Sequence, residues 1–207
     1  MIMNQATSPV QDTADSTGLP SLALRLKTET AAEHERMHVL MGNADIFSNL
    51  ENYKQFTLSQ YYFQLEVEHL FEKDQVESHI PDLDIRGRSA QAKLDLSDLN
   101  VQPQGQALVS QTVEFPAALG WIYVSEGSTL GAAFLFKQAQ QHLGISAENG
   151  ARNLAAYPEG RAKVWKRFVQ ALDEAQLSTA QQDQVVQGAL DAFGYFGELL
   201  INLDQLK

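Results

Sequence analysis

The chain has 207 residues, 44% hydrophobic and 20% charged, with no cysteine and a formal net charge of −11. That length and apolar content suit one large domain with a sizeable core, and the missing cysteine excludes disulfides, thiolate nucleophiles and iron–sulfur ligation within the chain. The acidic balance argues against nucleic acid and anionic membranes as partners, because phosphate binding needs surplus Lys and Arg.

Residues 1–19 are polar and rich in Ser, Thr, Gln and Asp, which predicts a disordered N-terminal arm. The arm lacks the basic start and apolar run of a secretory leader, so a cytoplasmic protein is expected. No window reaches the roughly 18–20 consecutive apolar residues of a membrane span.

After Pro20, apolar residues at 22, 24, 26, 31, 37 and 40–41 predict a first helix that stops at Gly42-Asn43. Residues 51–77 predict a second, with apolar positions 53, 56, 63, 67, 70 and 71 at steps of three, four and seven. The segment HIPDLDIRGRS reads as a connection and residues 90–99 as a short helix. Helix is expected from 106 to about 143, with Pro116 starting or kinking it. A connection over 144–160 leads to two last helices, 161–176 and 179–206, the second capped by Ser178. Strand signals are almost absent. The class is all-α, with one domain over residues 20–207.

The stretch YVSEGSTLGAAF sets Gly127 and Gly131 four residues apart in an apolar helical run, with Gly120 seven residues upstream. Each glycine costs a helix about 1 kcal/mol relative to alanine, so the pair must serve something. One reading is close helix–helix packing. The other is a flat ligand lying against bare backbone under a helix that bends at its glycines.

Histidine offers the second signal. Five are present, and His34 lies in LKTETAAEHERMH seven residues after Lys27, nearly two turns along the same stripe of one helix. An iron-ligating imidazole and an ammonium two turns away make a plausible clamp for an anionic macrocycle. A competing pattern is Glu-x-x-His, seen at Glu35–His38 and Glu66–His69. Di-iron carboxylate bundles use that spacing with a glutamate from each of two further helices, for which Glu126 and Glu198 are the candidates.

LKTETAAEHERMH resembles the proximal helix of heme oxygenases, with Thr30 and His34 at the T-x-x-x-H positions, and YVSEGSTLGAAF resembles the distal helix of bacterial members. The likeness covers roughly residues 22–203 and extends to QFTLSQYYF, HIPDLDIRGRS and LDAFGYFGELL. It implies a single-domain helical bundle with heme between the first helix and a glycine-kinked distal helix. His34 is then the axial ligand, Gly127, Ser128 and Gly131 form the distal wall, Lys27 and Tyr123 meet the propionates, and Phe193 packs on the macrocycle. Gln60 falls where distal water networks are found.

The implied reaction is oxidative opening of heme by O2 to biliverdin, the α isomer, with ferrous iron and carbon monoxide released, for iron acquisition. The chain has no flavin or nicotinamide motif, so electrons come from an external donor such as a ferredoxin or flavoprotein reductase. The protein is expected to be a monomer. Two departures from the family pattern stand out: His38 occupies a position where relatives often carry an acid, and Ser128 one where mammalian members carry aspartate. The alternatives are a non-catalytic heme carrier and the di-iron protein.

Overall fold

A computed structural model describes residues 21–206; the expected arm over 1–19 lies outside the described residues. Within them the chain forms ten α-helices, three short 3₁₀ turns and no β-strand. The helices are α1 (Leu22–Glu29), α2 (Ala31–Asn43), α3 (Leu50–His69), α4 (Val76–His79), α5 (Leu83–Arg86), α6 (Ser89–Asp98), α7 (Ala117–Leu143), α8 (Arg152–Ala155), α9 (Arg161–Glu174) and α10 (Thr179–Ile201).

Local signals account for several boundaries. Ser178 caps α10 through a reciprocal box: its Oγ accepts from the Gln181 backbone N–H at 3.3 Å, while Gln181 Oε1 accepts from Ser178 N–H at 3.0 Å. Gly144, at φ +69°, ends α7 in the left-handed conformation that a side chain disfavours.

The boundaries differ from the sequence expectation in several places: α5 lies inside the expected HIPDLDIRGRS connection, α8 inside the expected 144–160 connection, and α10 ends at Ile201 rather than 206. The first helix is two, broken at Thr30, whose buried hydroxyl donates to the Leu26 carbonyl at 2.7 Å and whose backbone leaves helical geometry. Lys27 and His34 therefore sit on different helices, and their relation is set by this junction rather than by one helical stripe. The second helix stops at His69, followed by a 3₁₀ turn and by Gln75 at φ +71°. Residues 106–116 are not α-helical. There the backbone N–H groups of Val109 and Ser110 donate to the buried Glu66 carboxylate at 3.1 and 2.9 Å, a tertiary anchor that competes with helix formation; α7 begins after Pro116.

The core is built round α10, which packs along α7 and also meets α1, α2 and α3. The α7–α10 crossing depends on two glycines. A Cβ on Gly120 would lie 2.1 Å from the Val185 carbonyl oxygen, and one on Gly188 would lie 2.1 Å from that of Ala117. No side chain fits at either place, so the backbones themselves are in contact. Phe63 stacks on Trp121 and tilts against Phe196, tying α3 to the same seam.

Candidate heme-binding cleft

His34 lies on α2. Arg36 docks it on α10: its Nη2 donates to the Phe193 carbonyl at 3.4 Å, and its Nε donates to Glu33 at 2.8 Å. Gly197 makes room for that guanidinium, since a Cβ there would come within 2.5 Å of Nη2. The exposed His34 ring meets the Phe193 ring edge-on at a centroid separation of 6.4 Å and carries no hydrogen bond among the described residues. Partial burial, reinforced by neighbouring His38, holds the His34 imidazole below its ordinary pKa. It is therefore neutral at pH 7, the form that ligates metal.

The expected glycine face lies on α7, from Gly127 to Phe134. A Cβ on Gly131 would meet nothing within 4 Å, and one on Gly127 would meet only the edge of Trp165, at 3.7 Å. Leu130 and Phe134, on the same stretch, are 36% and 60% exposed. The close-packing reading of the glycines therefore belongs to Gly120, while Gly131 borders open space and Gly127 would take a Cβ at ordinary contact with Trp165. The helix runs unbroken through both.

Around Ser125 and Glu126 of α7 lies a polar network that sequence reasoning missed. Glu126 is buried and accepts from Arg86 Nη1 at 2.5 Å and from the Tyr157 phenol at 2.6 Å. Burial and the Glu126 charge raise the Tyr157 pKa, so the phenol stays a donor. Arg86 is fully buried, and its guanidinium lies 5.4 Å from the Phe168 ring centroid. Arg88 Nη2 donates to the Ser125 carbonyl at 3.0 Å and to its hydroxyl at 2.9 Å, and reaches Ser128 Oγ at 3.4 Å. Gln64 completes the set against Ser125 at 3.3 Å, and Arg161 donates to the Thr129 carbonyl at 2.9 Å. A signal was available, because a glutamate inside an apolar helical run needs a buried cation and IRGRS supplies two.

Of the remaining expected site residues, Ser128 donates its hydroxyl proton to the Ser125 carbonyl at 2.6 Å. Tyr123 rests on Trp165, 5.5 Å between centroids, with its phenol pushed up to about 12 by burial. Lys27 is exposed at the end of α1. Neither Lys27 nor the Tyr123 hydroxyl has a polar partner among the described residues. Gln60 is half-buried on α3, one turn before Gln64.

Two of the glutamates in the di-iron pattern are engaged elsewhere. Glu126 is held by Arg86 and Tyr157, and Glu66 by the 109–110 backbone. Among the described residues, no three His, Asp or Glu side chains come together as a metal site.

The fold is that of an all-helical protein, with the exposed His34 on α2 and the bare Gly131 on α7. The heme oxygenase family model matches residues 20–202. The chain is 39% identical over 178 residues to heme oxygenase PigA of Pseudomonas aeruginosa, covering 85% of this chain and 89% of the relative. The structure superposes on the NO- and CO-bound heme oxygenase of Neisseria meningitidis with a TM-score of 0.83 at 35% identity, covering 90% and 94% of the two chains. It shares the fold of Synechocystis heme oxygenase-1, solved with heme, at a TM-score of 0.71 and 20% identity, covering 89% and 93%. This chain belongs to the heme oxygenase family and is a heme-degrading enzyme. No helix among the described residues is long and apolar enough to cross a membrane.

Proposed function

We propose that heme lies between α2 and the second half of α7, over Phe193 of α10, with His34 as its axial ligand. The observation that carries this reading is the open space at Gly131, one turn beyond Gly127, on a helix whose Gly120 is filled to contact. When bound, heme supplies the iron that activates O2, using electrons from an external ferredoxin or flavoprotein reductase; the products are biliverdin, ferrous iron and carbon monoxide.

The side chains have distinct tasks. His34 offers a neutral nitrogen, a moderate axial ligand that gives less push toward O–O cleavage than a thiolate. Gly127 and Gly131 let the macrocycle approach backbone. Ser128 spends its proton on the Ser125 carbonyl, so its oxygen faces Arg88 as an acceptor rather than serving as an acid. Lys27 and Tyr123 each retain an unused donor, as propionate partners would. A charge-assisted hydrogen bond contributes about 1.5–3 kcal/mol and a neutral one about 0.5–1.5 kcal/mol. A preference of about 1.4 kcal/mol from these contacts would give a tenfold ratio between two orientations of a bound heme, so Lys27 and Tyr123 would be the residues that favour the α isomer. The working unit is a monomer, and the physiological purpose is iron acquisition.

Gly131→Leu tests the placement. Open space at Gly131 predicts unchanged folding with slowed turnover of bound heme in air and reductant. Wild-type turnover in that variant would show that heme lies elsewhere. A wild-type complex that kept its Soret band under those conditions would instead indicate a carrier.

A further inference from the structure

His34 and His38 stand one turn apart on α2, with ring centroids 4.7 Å apart and ring planes at 74°. Both are exposed, and neither ring nitrogen is engaged by another described residue. Two imidazoles at i and i+4 share one face of a helix, the spacing by which a helical histidine pair grips one metal ion. The separation also suits a chelate. With metal–nitrogen bonds of about 2.0–2.1 Å, each ring centroid lies about 3.2 Å from the ion. Centroids 4.7 Å apart then subtend roughly 95° at the metal, between octahedral and tetrahedral angles. Glu35, the next residue along, adds negative charge beside the pair.

We propose that, in the heme-free protein, His34 and His38 form a two-imidazole chelate for a divalent first-row transition-metal ion. That such an ion excludes heme rests on the reading of His34 as axial ligand. Imidazole sites hold such ions in the order Fe(II) < Co(II) < Ni(II) < Cu(II) > Zn(II). Ferrous iron, the metal product of heme opening, is thus among the weakest guests, and water fills its remaining positions. The pair therefore suits an ion in transit: iron freed from one heme is held briefly where the next heme must bind.

Nickel chloride titrated calorimetrically into tag-free, heme-free protein is the test, with hemin titrations run in its presence and absence. One equivalent should bind to wild type and to His142→Ala, and be lost in His34→Ala, His38→Ala and His38→Gln. Circular dichroism checks that each variant is folded. Nickel at ten times its Kd should raise the apparent heme Kd about elevenfold by mass action. Wild-type nickel binding by both His38 variants overturns the chelate. Nickel binding that needs both histidines but leaves the heme titration unmoved keeps the chelate and overturns the axial role of His34.

Discussion

The two halves of α7 use the same residue for opposite ends. At Gly120 the missing side chain is filled by the backbone of α10, with 2.1 Å between a hypothetical Cβ and the Val185 oxygen; at Gly131 nothing lies within 4 Å. A glycine in an apolar helix is thus ambiguous until its surroundings are known. The first half is held by van der Waals contact with α10. The stretch beside Gly127 is held by the Arg86–Glu126–Tyr157 and Arg88–Ser125 hydrogen bonds.

Glu126→Ala is expected to break this contrast most severely. It strands Arg86, which is fully buried, and loss of one partner of a buried pair costs about 3–5 kcal/mol. Denaturant unfolding should show that loss, and heme turnover should fall with it as the distal wall loosens. Wild-type stability would mean that Arg86 finds another acceptor.

Gly120→Ala comes next. Its Cβ collides with backbone rather than with a flexible side chain, so α7 and α10 must separate, at about 1–3 kcal/mol or more for overpacking. Gly131→Ala carries the opposite sign. Its Cβ enters open space, and helix propensity favours alanine by about 1 kcal/mol, so the melting temperature should hold or rise. If both alanines destabilise equally, the two halves of the helix are not distinct.

The smallest effect on stability is expected from Lys27→Asn with Tyr123→Phe, which removes two unpartnered polar groups. Its effect lies in the product. Chromatography should show an α-biliverdin product from wild type and a mixture of isomers from the double variant. An unchanged α product would assign orientation to packing, with Phe193 the nearest candidate.

What could be read from the sequence was mostly local or familial. Ser178 and Gly144 mark helix ends through groups within a few residues, and the all-helical class follows from periodicity. His34, Gly127 and Gly131 lie in short contiguous motifs. The break at Thr30 was hidden because no proline or glycine marks it. Residues 106–116 read as helix because their apolar content is high, while the Glu66 carboxylate that claims their N–H groups lies some 43 positions away. The distal network was hidden for the same reason. Arg86 and Glu126 are 40 residues apart, and a pairing at that range has no periodicity to reveal it.

The central claim, that His34 holds heme against the glycine face of α7, is tested most directly by absorption spectroscopy of hemin-loaded His34→Ala, followed through aerobic turnover with and without added imidazole. The account predicts a folded protein without the histidine-ligated spectrum, slow or absent bilin formation, and recovery when imidazole fills the vacated position. A wild-type spectrum and turnover in His34→Ala, with loss of both in His38→Ala, would contradict it.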